Sequence, residues 1–538
     1  MDKLHWSVDS LVLRNHTYFG FGWAFHEKKS IAGITLIIKS RTGSSQVIPA
    51  TFGNSRDDVA FHFSGSQNAL HSGYVLYGTC KGDVEGGDLI SLCVEYEDGS
   101  SEDLPVPVSS LISLEKSSAN ALPLIKQFWA FFKRGFLLVW QFKFKLLLEK
   151  VGRYTKSRPA GSLSNVAQAK KQLSVHAERS SVLIIDHDLG GGANHYRERM
   201  VSEKIKEGKA VYIFSFHIAT LSYVVMVRTS TSNDTFSIPG LAFLVELCRF
   251  LRIEELIYNT GVSFTKSEEI PQLIIELKKE LDPKLTLLVH DFFMVCPSHF
   301  LIDYSGNYCG IPDPEKCQSC LVKNHNGFTS LFNARDIHQW RALWGTVLTL
   351  ADEIRTFSNN TLNLLCEAYP FIDLSHTVVK PHVTEYINVG SVTPSQTAEL
   401  RIGVVGQIGL HKGARIVQRL TEEIKKQGLA IKIVIIGSIE VQCDTSVVSQ
   451  TGHYKHDDLA NLIESTGVNV MLFPSIWPET FSYVVQELME FDLPVVSFDL
   501  GAPAERLASY KKGLILKNFD VPSVLNELVL FHQRIYSA

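Results

Sequence analysis

The pattern of apolar and polar positions changes near residue 108 and again near residue 180. Before residue 108, apolar residues alternate with polar ones in short runs, such as Ile34, Leu36 and Ile38, and glycine-containing breaks separate the runs. Several short strands of this kind are typical of a β-sandwich. After residue 180, unbroken apolar runs alternate with segments of helical spacing, which indicates parallel strands buried on both faces.

We therefore predict four parts in a chain of 538 residues, which is too long for one hydrophobic core. The parts are an all-β module (1–108), a linker with one basic and aromatic helix (109–178), a first α/β half (179–392) and a second α/β half (393–538). Because strands and helices alternate through both halves, the predicted fold class is α/β with an all-β sandwich in front.

The most regular unit lies between residues 469 and 507. A buried strand at 470–473 is followed by a helix predicted at 481–491 and a second strand at 495–498. Glu479 lies in the loop where this helix begins, and Glu487 lies just over two helical turns further on. Two carboxylates on one face can bind two sets of hydroxyl groups on an elongated ligand. The alternative is that both are solvated residues of a surface helix.

A glycine-rich loop in the first half is a candidate anion site. Gly190, Gly191 and Gly192 follow the strand at 182–185 and precede a helix predicted at 196–207. Glycines at a helix start let backbone N–H groups approach an anion closely. A tight turn that binds no ligand has the same composition, so that interpretation stays open.

His290 is a candidate ligand-binding residue because of its position after a strand. It follows the apolar run 285–289, at the edge where open α/β sheets bind their ligands. The alternative is a loop histidine that pairs with its neighbour Asp291.

A second glycine-containing loop opens the second half. The strand at 402–405 is followed by Gly406, Gln407, His411, Lys412 and Gly413, and then by a helix. A lysine at a helix N-terminus adds positive charge where the helix dipole already favours an anion. An exposed lysine at a helix start, with no ligand, is the alternative.

Taken together, these motifs resemble the retaining glycosyltransferases of the GT-B fold, in the large family four. The matching residues are Pro474-Ser475, the Glu479 and Glu487 pair, the loop from Gly501 to Glu505, and Lys412-Gly413. The family usually has an arginine where this chain has Gln407, and a second glycine beside Gly501. The resemblance covers residues 180–520 and is clearest over 400–507.

The resemblance implies two Rossmann-like halves facing across a cleft and transfer of a sugar from a nucleotide-sugar donor. It places Glu479 and His290 at the donor sugar, Glu487 at the ribose and Lys412 at the pyrophosphate. The further donor-binding residues that it implies are Gly191, Gly192, Gly406, Gln407, His411, Gly413, Thr480, Phe481 and Ser482. With the usual arginine absent, positive charge would come from Lys412, the helix N-terminus and His411. The implied acceptor is a glycan or lipid-linked sugar of bacterial surface polysaccharide or O-antigen assembly, and catalysis needs no metal.

Four cysteines lie within 25 residues of the first half. Cys317 and Cys320 have the two-residue gap that lets two sulfurs bind one metal ion, and Cys296 and Cys309 precede them. A structural Zn²⁺ site is one interpretation. Free thiols or a redox pair are the alternative, because the outer spacing is not that of a standard zinc ribbon.

Charge and targeting features limit the partners and the location. A net charge of −4 predicts no nucleic-acid binding. The N-terminus lacks an apolar leader segment, and no stretch reaches 18 uninterrupted apolar residues, so we expect a cytoplasmic protein with reduced thiols. The helix predicted at 124–150 mixes aromatic residues with lysines, so it could lie on the inner face of the membrane or pack between domains.

Two rival functions stay open. A GT-B sugar-nucleotide epimerase would carry acid and base carboxylates and histidines in the cleft, and would need neither the β module nor the basic helix. A carbohydrate-binding scaffold with an inactive transferase half is the non-enzyme alternative, and Gln407 and the single glycine at Gly501 keep it open.

Overall fold

The computed structural model describes most of the chain outside the linker. The described residues are 3–107 except 15–16, 40–44, 55, 57–58, 61–62, 64–65 and 80–88, then 111–113, and then 161–536 except 164–165, 174–179, 188–189, 218–221, 265–266, 325–335, 385–391, 396–398 and 453. The predicted helix at 124–150 lies outside them. Among the helices of the described ranges, none combines the length and the apolar character needed to span a membrane.

The N-terminal region is all-β, but its strands form one continuous sheet. The strands are β1 (Leu4–Arg14), β2 (Thr17–His26), β3 (Ile31–Lys39), β4 (Ser45–Asn54), β5 (Gly73–Thr79), β6 (Leu89–Tyr96), β7 (Ser101–Val106) and β8 (Leu111–Ser113). Their order is β7-β6-β3-β4-β5-β2-β1-β8. The predicted sandwich of two separate sheets is not confirmed, because β4 pairs with β3 through residues 45–49 and with β5 through residues 50–54 and so connects the strands on either side.

Register shifts interrupt three strands of this region, and five strands share one core. Register shifts in β1, β3 and β4 bend the sheet, as β-bulges do. Leu11, Ile34, Ile48, Leu76 and Ile90, which come from five strands, consequently bury their side chains in a single core. The apolar alternation of a curled sheet is the same as that of a sandwich.

The first α/β unit spans residues 161–379 and contains a nine-stranded sheet. Its strands are β9 (Gly161–Ser162), β10 (Ser181–Ile185), β11 (Ala210–His217), β12 (Ser222–Arg228), β13 (Asn233–Ile238), β14 (Ile253–Tyr258), β15 (Lys284–Leu288), β16 (Glu353–Thr356) and β17 (Thr377–Val379). Its helices are α1 (Val166–Leu173), α2 (Gly192–Lys206), α3 (Leu241–Leu251), α4 (Glu269–Leu281), α5 (Pro314–Lys323), α6 (Ile337–Leu350) and α7 (Asn359–Ala368). The order is β17-β16-β15-β14-β10-β11-β12-β13-β9, parallel from β17 to β11.

The second α/β unit spans residues 401–536 and contains a six-stranded parallel sheet. Its strands are β18 (Arg401–Ile408), β19 (Lys432–Ile439), β20 (Val448–Gln450), β21 (Val470–Phe473), β22 (Val495–Phe498) and β23 (Gly513–Leu516). Its helices are α8 (Ala414–Lys426), α9 (Leu459–Thr466), α10 (Tyr483–Glu490), α11 (Gly501–Leu507) and α12 (Val521–Tyr536). The order is β20-β19-β18-β21-β22-β23.

Both parallel sheets are covered on both faces, which accounts for the unbroken apolar runs. In β10, Leu183 and Ile185 belong to the core on one face, and Val182 and Ile184 belong to the core on the other. The same alternation divides β19 and β21 between the two cores of the second unit. A strand buried on both faces needs apolar residues at every position, and the sequence supplies them.

Specific contacts join the three parts. The buried Tyr77 of β5 donates a hydrogen bond from its hydroxyl to the Ser263 carbonyl of the first unit at 3.0 Å. Between the two α/β units, the carboxylate of Glu505 accepts hydrogen bonds from the backbone N–H groups of Asn359 and Asn360 at 3.1 and 2.9 Å. Glu505 therefore caps the N-terminus of α7 from the opposite unit, where Ser358 also caps it as its own N-cap residue.

Candidate active site

The carboxyl edges of the two parallel sheets meet at their topological switch points. In the first sheet β10 lies between β11, the next strand in the chain, and β14, a later strand. In the second sheet β18 likewise lies between β19 and the later strand β21. Such points are where open α/β sheets bind ligands. The two edges are in direct contact, because the Thr480 hydroxyl after β21 donates to the His290 carbonyl after β15 at 2.8 Å. We call this region the interunit site.

Glu479 is the buried carboxylate of the interunit site. Its side chain is 8% exposed, and its Oε1 has no hydrogen-bond partner among the described residues. Burial raises the pKa of this carboxyl, and the nearby Lys412 ammonium, with Ser475 and Ser482, opposes that shift. A buried carboxylate with an open acceptor position is suited to receive hydroxyl groups of a ligand.

The backbone around Glu479 is held by a close contact with Gly501. The Ala502 N–H donates to the Glu479 carbonyl at 2.8 Å. Gly501 has a φ of +61°, and a Cβ there would lie 2.6 Å from the Glu479 nitrogen. Only glycine fits this position without strain. The loop therefore needs a glycine at position 501, because any side chain there would collide with the backbone of Glu479.

Further buried polar atoms of the interunit site have open hydrogen-bonding positions. Within the described part of the chain, the Trp477 indole N–H and the His290 Nε2 have no hydrogen-bond partner. Trp477 belongs to the same loop as Glu479, and His290 faces it from the first unit. Buried polar groups are rarely left unpaired. Their convergence at one edge indicates a site for a polar ligand.

Lys412 is placed beside Glu479 by a tightly packed loop. It ends a 3₁₀ turn, Leu410–Lys412, directly before Gly413 and α8. Gly413 has a φ of +83°, and a Cβ there would lie 1.9 Å from the Pro474 carbonyl oxygen. The loop that carries Lys412 therefore packs directly, at Gly413, against the loop after β21 that carries Pro474 and Glu479. Gln407 is exposed near the end of β18, and Gly406 has a φ of +115°.

We expect Gly413→Ala to destabilise the protein by clearly more than Gly428→Ala. Gly428 also has a positive φ, +64°, but nothing lies within 4 Å of a Cβ there. Left-handed strain costs about 1–2 kcal/mol at either position, and only Gly413→Ala adds the collision with the Pro474 carbonyl. Urea unfolding of both variants measures the difference. Equal losses of stability would show that the two loops are not in contact.

His411 cannot supply the positive charge that the sequence analysis assigned to it. Its ring stacks flat on Phe300 of the first unit, with centroids 4.3 Å apart and an interplanar angle of 1°. Burial, reinforced by the adjacent Lys412, lowers the pKa of His411 to about 4. The imidazole is therefore neutral at pH 7. Among the residues assigned to this role, Lys412 and the N-terminus of α8 remain as sources of positive charge.

His290 is also a neutral imidazole. Burial, with a contribution from His187, lowers its pKa to about 3. Its ring stacks on Phe357 at 4.5 Å. The alternative partner, Asp291, accepts hydrogen bonds from the Thr260 hydroxyl and the Phe293 N–H instead, at 2.7 and 2.8 Å. His290 can therefore offer a hydrogen bond to a ligand, but it cannot act as a cation.

Glu487 occupies a different environment from Glu479. It lies in α10, is 7% exposed, and its Oε1 is 3.8 Å from the Nδ1 of His456. Burial, reinforced by the neighbouring Glu490, raises the pKa of Glu487 to about 7. The solvated surface glutamate considered from the sequence is wrong for both residues, because both are buried.

The raised pKa predicts that Glu487→Gln stabilises the protein at pH 8. Between pH 4.5 and about 7, the folded protein keeps a proton on Glu487 that the unfolded chain releases, so the free energy of unfolding falls as the pH rises. Replacing the Glu487 carboxyl by an amide should raise the free energy of unfolding by up to about 3 kcal/mol at pH 8, and should hardly change it below pH 4.5. Unfolding curves at both pH values measure this. The exposed Glu422→Gln is the control, and a loss of stability at pH 8 would contradict the assignment.

The glycine-rich loop of the first unit is held by a buried network that the sequence analysis missed. Asp186, directly after β10, accepts hydrogen bonds from Arg197 at 2.7 Å, from Asn194 at 2.8 Å and from Asn259 at 2.9 Å. Asn194 in turn accepts from the Gly190 N–H at 2.6 Å. The strand-end position of Asp186 could have indicated it. The network fixes the start of α2, where Gly191 is the N-cap residue with a φ of +85°.

The glycine loop also reaches the second unit. A Cβ on Gly192 would lie 3.1 Å from the ring of Tyr483. The Tyr483 hydroxyl shares a hydrogen bond of 2.6 Å with His382, which follows β17. Neither Tyr483 nor His382 was assigned from the sequence, although His382 comes after a strand just as His290 does.

Three residues predicted to contact the donor have side chains that contact other residues of this protein. Thr480 bonds to the His290 carbonyl, and Ser482 accepts a hydrogen bond from the Val485 N–H as the N-cap of α10. Phe481 lies between the His382 ring at 4.2 Å and the Arg506 guanidinium, whose carbon is 3.6 Å from the ring centroid. Arg506 is a partly buried cation that the sequence analysis missed.

The four cysteines lie close together as thiols. Those in the described part of the chain, including Cys296, Cys309, Cys317 and Cys320, are free. Burial, with repulsion from nearby Cys317, raises the pKa of Cys309 to about 12. Across the described ranges, no three His, Cys, Asp or Glu side chains gather as metal ligands. The structure thus gives the zinc hypothesis no support, and elemental analysis for about one Zn²⁺ equivalent would test it.

Three solved structures each align with about two thirds of the chain at low sequence identity. HepE of Anabaena, in complex with UDP and glucose, is 14% identical with a TM-score of 0.42, over 66% of this chain and 94% of that chain. A glycosyltransferase of Rickettsia africae is 13% identical with a TM-score of 0.42, over 66% and 89%. The pneumococcal O-GlcNAc transferase GtfA, in complex with UDP and GlcNAc, is 8% identical with a TM-score of 0.40, over 67% and 92%.

Sequence comparison assigns the second unit alone. No curated protein matches the chain. Residues 391–530, which contain Lys412, Glu479 and Glu487, match the family model described as "Glycosyl transferases group 1".

Proposed function

We propose that this protein is a GT-B glycosyltransferase that moves a sugar from a nucleotide-sugar donor to an acceptor hydroxyl with retention of configuration. The observation that carries the proposal is the buried Glu479, with the Lys412 ammonium near enough to lower its pKa, at the edge of the second sheet that contacts the first unit at His290. The family match over the same unit supports it. A carboxylate for sugar hydroxyls beside a cation for phosphate is the combination that a nucleotide sugar requires.

Each residue has a role that follows from its environment. Lys412 and the first turn of α8 stabilise the pyrophosphate as the bond to the sugar breaks and negative charge develops on the leaving oxygen. Glu479 accepts hydrogen bonds from the sugar through its open Oε1. Glu487 binds the ribose hydroxyls. The neutral His290 offers its Nε2 to the sugar from the first unit.

The proton of the acceptor hydroxyl passes to the leaving phosphate oxygen. In this step the glycosidic bond to the acceptor oxygen forms on the face from which the pyrophosphate departs, so the anomeric configuration is kept. None of Glu479, Glu487 and His290 is assigned as the base. The reaction therefore rests on positioning and on stabilisation of charge at the pyrophosphate.

We further propose a bacterial surface polysaccharide or O-antigen pathway, with a glycan or lipid-linked acceptor at the inner face of the membrane. Cytoplasmic location, peripheral membrane contact through residues 124–150 and catalysis without a metal are parts of this proposal. They rest on the sequence resemblance. Vesicle flotation of the full chain and of a variant with lysine-to-glutamine changes in 124–150 tests the membrane contact.

The function is tested by incubating the purified protein with a panel of nucleotide sugars and measuring nucleoside diphosphate release. Transfer predicts release with one donor, stimulation by an acceptor, and a product with the donor's anomeric configuration by NMR. Epimerisation would convert the sugar with or without release of the nucleotide, and no bond to the acceptor would form. A scaffold would show no turnover with any donor. Glu479→Gln is the active-site control.

A further inference from the structure

An aromatic contact links the cysteine-bearing segment of the first unit to the interunit site. Phe300 lies between β15 and α5, within the segment that also carries Cys296 and Cys309. Its ring stacks flat on His411 at 4.3 Å and packs at 4.7 Å against Trp477, at an angle of 58°. His411 and Trp477 belong to two different loops of the second unit. Phe300 therefore touches both loops from the opposite side of the site.

Those two loops carry the two charged groups assigned to the donor. His411 directly precedes Lys412, and Trp477 lies two residues before Glu479. The Ile476 N–H also donates to the His411 carbonyl at 3.2 Å, so the loops are bonded to each other next to the stack. A displacement of His411 would consequently move the backbone that places Lys412.

The backbone beside Phe300 is strained and strongly held. Leu301 has a φ of +54°, a left-handed conformation that is unusual for a leucine. Its N–H donates to the Ser298 carbonyl at 2.7 Å, and its carbonyl accepts from both the N–H and the thiol of Cys309, at 3.0 and 3.1 Å. A strained residue persists only where surrounding contacts determine it, and such residues cluster at functional sites.

We propose that Phe300 is a positioning residue for the proposed transfer reaction: by stacking on His411 and Trp477 it sets the placement of Lys412 against the donor pyrophosphate. The segment around Cys309 thereby serves to present Phe300, whether or not it binds a metal. This inference rests on the proposed function. It adds a residue from outside the resembling motifs to those that determine the rate.

Three variants test the role of the ring. Phe300→Ala removes the stack and should lower kcat about 10- to 100-fold, with a smaller change in donor KM, because misplaced charge acts mainly on the transition state. Phe300→Tyr keeps the ring and should keep most of the activity. Phe371→Ala removes a phenylalanine that is 99% exposed and should change nothing. Equal kcat for Phe300→Ala and wild type would overturn the proposal.

A comparison with Lys412→Ala separates this proposal from the proposed function. If both hold, the double variant Phe300→Ala/Lys412→Ala should be no slower than Lys412→Ala, because both changes act on one group. A slow Lys412→Ala with a fully active Phe300→Ala would overturn the positioning role alone. If neither single change affects turnover, the assigned function of the interunit site fails.

A spectroscopic measurement tests the geometry without turnover. In protein carrying labelled histidine, the stacked Phe300 ring should shift the His411 ring protons upfield. Phe300→Ala should remove that shift and Phe300→Tyr should retain it, with an unfolding midpoint for Phe300→Ala that shows the chain is folded. An unchanged His411 signal in folded Phe300→Ala would contradict the stack and, with it, the proposal.

Discussion

Lys412→Ala is expected to lower kcat about 10²–10³-fold and to leave the donor KM nearly unchanged. The departing pyrophosphate gains negative charge in the transition state, so a preorganised cation acts on the rate more than on ground-state binding. This chain has Gln407 where the family that it resembles usually has an arginine, and its His411 is neutral because burial lowers the imidazole pKa to about 4. Lys412 consequently carries more of the stabilisation than it would beside a second cation.

Steady-state kinetics with the cognate donor measure this effect. Lys426→Ala is the matched control, because Lys426 ends the same helix α8 and its side chain is 75% exposed. Gln407→Arg should be tolerated or should raise kcat, since Gln407 is exposed near the end of β18 and a longer side chain can extend from it. A Lys412→Ala variant with wild-type kcat and only a raised KM would assign the lysine to binding alone.

Glu479→Gln is expected to lower kcat/KM about 10- to 100-fold while making the folded protein more stable at neutral pH. Loss of a hydrogen bond to a charged group costs about 1.5–3 kcal/mol, and glutamine keeps the shape of the side chain. The gain in stability follows because burial raises the pKa of Glu479, so the folded state is penalised for holding the ionised carboxyl above the pKa of the unfolded chain.

Activity and urea unfolding, measured on the same Glu479→Gln sample, give both results. A variant that is less active but more stable than wild type has lost a group that serves function at a cost in stability. The exposed Glu422→Gln should change neither quantity. Lower stability together with lower activity would mean that Glu479 is a structural residue.

The sequence indicates where the interunit site lies because each of its loops follows an apolar strand. Lys412 follows β18, Glu479 follows β21 and His290 follows β15, and this order of strand, loop and helix can be read directly from the hydrophobic pattern. The α/β class and the N-terminal all-β region follow from the same pattern. The predicted sandwich is not confirmed, and alternation along strands does not reveal how β4 joins both of its neighbours.

Properties that depend on distant contacts could not be predicted from the sequence. Gly501 packs against the backbone of the buried Glu479, and the His411 ring stacks on Phe300, more than 100 residues earlier. The Asp186 network likewise joins residues of three separate segments. Such contacts determine the pKa values of buried groups and which polar atoms lack a partner. The spacing of residues along the sequence carries little information about either property.

Hydrogen–deuterium exchange with added nucleoside diphosphates tests the central assignment most directly. The account predicts that one of the diphosphates of uridine, guanosine, adenosine or thymidine protects both the 409–413 loop and the 475–482 loop in the wild-type protein. The same nucleotide should protect both loops equally in Lys426→Ala, because Lys426 lies at the far end of α8. No protection at either loop with any of the four nucleotides, or protection confined to residues outside the interunit site, would contradict the account.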